Sequence, residues 1–390
     1  MDPVENPYSP NAGAPPPALI GRTELLETFS IALARIRRGR AEKSMLPTGL
    51  RGVGKTVLLN RFVEESRSQG YLIAQIEASE DGDFVGILGA QLRPVLFELD
   101  RNAKVVASVK RALRVFKSFS ASLGLNGLNV SLGVDAERGV ADSGDLPSDL
   151  TALLVSLGEA AVAEETAVLI AIDELQYLSE AELGALIMAM HRVTQLSLPV
   201  MLVGTGLPQL PALAGNAKSY AERLFNYPSI GPLSDADTKE AIAAPALAQS
   251  IIFTDQALFR LFEITRGYPY FIQEWAYHVW NEASKSPISL DDVNAAEPRV
   301  LRALDESFFR VRYDRLTPRE KKYLRAMAEL GEGPHRSGDI AAVLETRVES
   351  LSPLRSGLIA KGMIYSPQHG DAAFTVPLFA AFMRRTIPAL

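Results

Sequence analysis

The 390-residue chain has no cysteine, which excludes disulfides and thiolate metal sites. Its four histidines, His191, His278, His335 and His369, are scattered without a pair at helical ligand spacing, so no zinc site is expected. No uninterrupted apolar run reaches the roughly 18 residues that a membrane span needs, and no membrane partner is expected. The opening "MDPVENPYSPNAGAPPP" has neither the basic start nor the apolar stretch of a secretory signal, so a cytoplasmic location is expected. Positive charge is also in deficit: the net charge of −6 argues against a protein that coats DNA generally. That deficit is uneven. Residues 299–390 hold 15 Lys and Arg against 10 Asp and Glu, whereas residues 1–298 hold 25 against 36. A basic module on an acidic body is a hint about partners.

What is present is an ordinary globular composition, 47% hydrophobic and 22% charged, in a chain long enough for two or three domains. Residues 1–18, rich in Pro, Asn, Gly and Ala, read as a flexible arm. Between 19 and 232, strand-like and helical runs alternate, which predicts a three-layer α/β sandwich around a mostly parallel sheet. The run "AVLIAIDE" suits a strand buried on both faces. Alternating apolar residues around Asn126-Gly127 predict a β-hairpin at about 121–135, of unassigned role. From 233 to 316 only helices are expected, with Ser234 and Thr254 as N-caps. Residues 317–390 read as three helices, two short strands about a polar turn and a last helix, the outline of a winged helix-turn-helix.

Residues 49–56, Gly49-Leu50-Arg51-Gly52-Val53-Gly54-Lys55-Thr56, form the G-x-x-x-x-G-K-T pattern between a short strand and a helix. Glycines at these places let backbone N–H groups turn onto phosphate oxygens, and the helix start adds its positive dipole end. Lys55 would reach the β and γ phosphates, and the Thr56 hydroxyl would ligate Mg²⁺. Arg51 and Val53 are spacers, Arg51 being a candidate for a phosphate or interdomain contact. Pro47, just upstream, cannot donate to a ladder and is expected where the strand leaves the sheet. Asp173 ends the buried strand, where a carboxylate can hold Mg²⁺ through water. Glu174 follows, placed to polarise a water that attacks the γ phosphate. An adjacent Asp-Glu favours hydrolysis over mere binding.

Gly49 to Thr56, "VLIAIDELQ" and "VMLVGTGLPQL" together resemble the AAA+ ATPase superfamily, closest to the prokaryotic ATPases of the origin-recognition (initiator) clade. The resemblance spans roughly residues 19–390. It implies a P-loop sandwich of the ASCE/AAA+ type, an α-helical lid and a winged helix, with ATP and Mg²⁺ as ligands. It also implies that Thr205 senses the γ phosphate and that Ile20-Gly21-Arg22 flank the adenine. Arg223 resembles an arginine finger sent into a neighbour's site, which requires a homo-oligomer; a surface salt bridge is the alternative. Arg266 lies where many relatives carry a lid sensor. Gly267-Tyr268-Pro269 instead resembles the Gly-x-Pro signature of signalling-type (STAND) and archaeal ATPases, with Pro269 starting a helix near the adenine.

In the basic module the third helix would be the recognition helix. Val348, Leu351, Leu354, Leu358 and Ile359 would pack inward, Arg347, Ser350, Ser352 and Arg355 could face a major groove, and Lys361 could meet phosphate. The wing "SPQHGDAA" carries no Arg or Lys, so any contact with double-stranded DNA is expected to be modest. Two expectations stand side by side. One is a slowly hydrolysing AAA+ switch acting in DNA transactions or regulation. The other is a STAND-like signalling module whose winged helix is autoinhibitory or binds a partner protein.

Overall fold

The apolar run predicted to be buried on both faces forms an interior strand of a sheet. All seven residues of Ala167–Asp173 are buried in the computed structural model, which describes residues 1–11, 13–80, 82–101, 106–124 and 134–388. Backbone proximity divides the chain into two units. A sheet unit comprises Thr23–Thr48 and Leu58–Ser229; a helical unit comprises Met1–Arg22, Gly49–Val57 and Ile230–Leu390.

In the sheet unit the elements are α1 (Thr23–Ile36), β1 (Ser44–Met45), α2 (Lys55–Ser68, its first residues belonging to the other unit), β2 (Tyr71–Glu77), α3 (Phe84–Arg101), α4 (Val106–Ser122) and α5 (Leu146–Ala163). There follow β3 (Ala167–Asp173), α6 (Glu180–Gln195), β4 (Val200–Gly204), α7 (Leu210–Ala217), α8 (Ala221–Leu224) and β5 (Phe225–Asn226). The five strands lie in the order β2-β3-β4-β1-β5, every pairing parallel. Thus β4 separates β1 from β3, and the register Ile172↔Gly204 brings Asp173 and Thr205 to the same carboxyl end. Contrary to expectation, proline at 47 does not mark the point where the strand leaves the sheet. The regular span stops at Met45, yet the Leu46 N–H donates to Asn226 O, the Pro47 carbonyl accepts from the Gly206 N–H, and Thr48 bridges Gly206 and Ser229, because proline lacks only a donor and keeps its acceptor. Helix α5 is apolar, with mean hydropathy 1.3 over 18 residues, yet half of it is buried, and it packs between α4 and α6 as a core helix. The hairpin expected around Asn126-Gly127 lies outside the described residues, and α4 runs on as helix to Ser122.

The helical unit begins, after the loop at 49–57, with α9 (Asp235–Ala248), α10 (Asp255–Thr265), α11 (Pro269–Glu282) and α12 (Leu290–Ala303). Ser234 and Thr254 cap as expected, accepting from the N–H groups of Asp237 and Ala257. A π-helical turn, Leu304–Phe309, leads into α13 (Arg310–Asp314), α14 (Pro318–Leu330), β6 (His335–Arg336), α15 (Ser337–Val343), α16 (Val348–Ala360), β7 (Ile364–Tyr365), β8 (Asp371–Phe374) and α17 (Phe379–Thr386). The strands form an antiparallel sheet in the order β6-β8-β7. Phe308 stacks on Tyr270 of α11 at 4.6 Å, and Phe309 stacks on Phe382 of α17 at 5.1 Å. One apolar core therefore runs from the helices after 233 into the C-terminal module.

The N-terminal segment, whose composition suggests a flexible arm, is held on these helices. Tyr8 is 3% exposed, its hydroxyl donates to the Ile242 carbonyl at 2.6 Å, and its ring meets Trp280 edge-on at 6.3 Å. Asn6 donates to the Tyr277 carbonyl and Asn281, and the Trp280 indole donates to the Asp2 carbonyl. A run of Pro and Gly lowers helical propensity, but one aromatic and a few polar groups are enough to dock an extended segment.

Candidate nucleotide site

At the carboxyl end of the sheet, β3 stops abruptly. Glu174 takes a left-handed conformation with φ 56°, a geometry that costs a non-glycine residue about 1–2 kcal/mol and is characteristic of strained functional positions. The turn is fixed by short-range bonds. The Glu174 N–H donates to Asp173 Oδ1 at 2.9 Å, and the Thr205 hydroxyl donates to the same oxygen. Backbone bonds lock the two strand ends together: Thr205 N–H to Ile172 O at 2.9 Å and Leu175 N–H to Thr205 O at 2.8 Å. Asp173 and Thr205 are buried, at 6% and 0% exposed, whereas Glu174 is half-buried. The sheet unit thus brings together three of the residues singled out in the sequence. It adds a fourth that sequence reasoning left unassigned, Gln176, which donates to Glu174 Oε2 and accepts from the Leu207 N–H at 3.0 Å. The signal for it was the amide two positions after the Asp-Glu pair.

The glycine loop belongs to the helical unit. Gly52 and Gly54 have φ of 81° and 88°, the region open to glycine, so successive N–H groups can turn to one side as a phosphate nest. Among the described residues a Cβ on Gly54 would meet nothing within 4 Å. Gly49 is required for a different reason. A Cβ there would lie 2.2 Å from the Ile230 carbonyl oxygen, so the backbone runs flush against a second strand of chain. Lys55 opens α2, is 6% exposed and donates from Nζ to the Leu50 carbonyl at 3.1 Å. The Thr56 hydroxyl and the Asp173 carboxylate are each hard oxygen donors of the kind that suits Mg²⁺.

Other parts of the helical unit close on this loop. The Tyr270 N–H, in the first turn of α11 after Pro269, donates to the Gly52 carbonyl at 3.1 Å, and the Arg51 N–H donates to the Thr375 carbonyl beyond β8 at 3.0 Å. Arg22 reaches the carbonyls of Gly231 at 2.7 Å and Val53 at 3.4 Å. Burial pulls its guanidinium below the ordinary value, while the Asp237 charge acts in the opposite sense. Ile20 is half-buried and Gly21 exposed beside it. Gly267, at φ 73°, accepts from the Leu233 N–H at 2.7 Å, and a Cβ on it would sit 2.2 Å from the Leu233 carbonyl. Arg266 caps α10 in a left-handed conformation and is exposed. Arg223, on the short α8 of the sheet unit, is also exposed.

In the C-terminal module the candidate groove residues separate into two sets. Arg347, Ser350 and Ser352 are exposed. Arg355 is instead drawn into the β7–β8 turn, donating to Ser366 Oγ at 2.7 Å and the Asp371 carbonyl at 2.8 Å. Lys361 is paired with Glu320 at 2.8 Å. Of the residues expected to pack inward, Leu351 and Leu358 do, but Val348 is 41% exposed.

Comparison with known proteins bears on this geometry. Residues 18–203 match the AAA ATPase domain family, and residues 306–383 match a domain of unknown function (DUF8462). No curated protein matches the chain. Among solved structures the fold is similar to the Walker-type ATPase PABY2304 of Pyrococcus abyssi, with TM-score 0.58 and 17% identity over 94% of this chain and 96% of that one. Looser likenesses are the ORC1 protein of Aeropyrum pernix in complex with DNA, at TM-score 0.46 and 15% identity over 94% and 93% of the two chains. The RuvB Holliday junction branch migration motor of Thermotoga maritima stands at TM-score 0.44 and 18% identity over 91% and 92%. Residues 18–203 thus match the AAA ATPase domain family, and the chain shares, along nearly its whole length, the fold of a Walker-type ATPase, with a parallel α/β sheet of the P-loop kind.

Proposed function

We propose that the chain hydrolyses ATP slowly with Mg²⁺ and that its nucleotide state, ATP or ADP, sets the position of the C-terminal module, a winged helix acting on double-stranded DNA. The observation that carries the reading is the pair Asp173–Glu174 at the carboxyl end of β3, with the Thr205 hydroxyl on Asp173. In this reading the loop N–H groups and Lys55 hold the phosphates, and Thr56 and Asp173 hold Mg²⁺. Bound Mg²⁺ neutralises charge developing on the transferred phosphoryl group. Glu174 orients the attacking water, and Thr205 contacts the γ phosphate. Ile20, Gly21, Arg22 and Pro269 frame the base, Arg266 lies on the lid, and Arg223 acts on a neighbouring copy in a homo-oligomer.

Two backbone bonds support the switch. Arg51 N–H to Thr375 O and Tyr270 N–H to Gly52 O attach the C-terminal module and the α11 start directly to the loop, so a loop that rearranges around phosphate pulls on both. The same attachment favours a second reading, a STAND-like device in which the module restrains the loop and binds a partner protein rather than DNA. The antiparallel sheet β6-β8-β7 beside α14, α15 and α16 supports the winged-helix assignment. Its groove-facing candidates reduce to Arg347, Ser350 and Ser352.

The test is nucleotide binding and turnover by single variants. Lys55→Ala is expected to abolish ATP binding, and Glu174→Gln to retain binding while losing hydrolysis. Normal turnover by Glu174→Gln would remove the role given to Glu174. Titration with duplex DNA across salt separates the two readings. Several phosphate contacts give affinity that falls steeply with salt, and absence of binding at low salt, with and without ATP, favours the partner-protein reading.

A further inference from the structure

We infer that Gln176 is a positioning residue that couples the loop after β4 to the carboxylate of Glu174; the inference rests on the ATPase reading above. The amide of Gln176 touches two groups whose chemistry fixes its orientation. Leu207 presents a backbone N–H, which can only donate, so Oε1 must face it, at 3.0 Å. Nε2 is thereby turned to the other side, where Glu174 Oε2 accepts from it. A flipped amide would set N–H against N–H and oxygen against carboxylate, so only one orientation satisfies both ends.

The surroundings are shaped for this bridge. Leu207 follows Thr205 and Gly206, and Thr205 is the residue whose hydroxyl holds Asp173. A Cβ on Gly206 would lie 3.1 Å from Gln176 Oε1 and 2.8 Å from Leu210 Cδ2, so a side chain there would press on the bridge. Leu207 is fully buried and anchors the loop. Glu174 sits on a left-handed turn, where its side-chain direction depends on contacts beyond its own backbone. Movement of the Thr205–Leu207 loop on meeting a γ phosphate is therefore passed through one rigid amide to the carboxylate that orients water. Misplacing such a group by about 1 Å costs on the order of 100-fold in rate.

The experiment compares Gln176→Ala, Gln176→Glu and Glu174→Gln with the wild type, measuring steady-state ATP turnover, nucleotide affinity by a fluorescent ATP analogue, and melting temperature. Gln176→Glu is the decisive variant. It keeps an oxygen for the Leu207 N–H but, ionised, has no hydrogen to give Glu174. Both Gln176 variants are expected to lower kcat by about 10–100-fold with KM and analogue affinity within about twofold. Wild-type kcat in Gln176→Glu overturns the coupling, because Leu207 anchoring would then be the whole role of Gln176. A loss confined to KM or to melting temperature overturns it as well. The control keeps the two ideas apart. Turnover in Glu174→Gln, or none in the wild type, defeats the ATPase reading and this inference with it, whereas an inactive Glu174→Gln beside a fully active Gln176→Glu defeats the inference alone.

Discussion

The glycine loop offers a perturbation whose direction differs between two neighbouring glycines. At Gly49 the backbone is not in the positive-φ region, and the constraint is space: a Cβ would lie 2.2 Å from the Ile230 oxygen and 2.9 Å from Val53 Cγ2. The oxygen belongs to backbone, so no rotamer can relieve the overlap, and Gly49→Ala must push the two segments apart from 2.2 Å to at least 3.0 Å. Overpacking of this kind costs about 1–3 kcal/mol, which in a unit of this size lowers the melting temperature by about 2–12 °C at about 2–4 °C per kcal/mol. At Gly54 the constraint is conformational. Its φ is 88° and its Cβ position is open, so Gly54→Ala costs about 1–2 kcal/mol of left-handed strain. Asparagine tolerates positive φ better than alanine, so Gly54→Asn is expected to recover part of that loss. At residue 49 the order reverses, because the larger asparagine collides more. Calorimetric melting without nucleotide reads the effect on the free protein. A Gly49→Ala protein within about 0.5 kcal/mol of wild type, or the same rank of Ala and Asn at both positions, would refute the division into steric and conformational glycines.

Two further outcomes follow from single contacts. Tyr8→Ala removes a buried ring and is expected to destabilise by up to about 3–5 kcal/mol and to expose the N-terminal segment to limited proteolysis; Tyr8→Phe, losing only the bond to Ile242, should cost about 1 kcal/mol. Unchanged cleavage in Tyr8→Ala would show that the segment is not held by this residue. Burial alone would raise the Glu320 carboxyl, but bonds from the Lys361 ammonium and from the Thr317 N–H and hydroxyl, together with the Lys361 charge, hold it below the ordinary glutamate value. A depressed carboxyl contributes stability above the unfolded value near pH 4.3 and loses it as pH falls through the folded value. Acid unfolding of the chain, followed by circular dichroism, should therefore shift to higher pH in Lys361→Met.

The candidate site was legible where the pattern is local. Gly49 to Thr56 declares its turn by the glycines themselves, and α9 and α10 declare their starts by Ser234 and Thr254, since each depends on bonds between residues close in sequence; β3 shows instead by its unbroken apolar run, the mark of a strand covered on both faces. Arg355 and Lys361 looked available because basic residues on one helix face read as exposed, yet their partners, Ser366 and Glu320, come from other elements. Periodicity says which face of an element is buried, not what buries it.

By itself, then, the sequence determined the glycine loop, the acidic pair at a strand end, the alternation that makes a parallel sandwich and the helical stretch from 233 to 316. The tertiary structure decided that β4 lies between β1 and β3, which places Thr205 on Asp173. It decided that Ile230 crowds Gly49, that Thr375 and Tyr270 hold the loop backbone, that Tyr8 docks the first residues, and that Gln176 joins Glu174 to Leu207. Each of these is a contact between segments separated in sequence. Such pairings are chosen by the free energy of the whole packed chain, in which hydrogen bonds and buried area are matched globally, and no local run of residues encodes the partner.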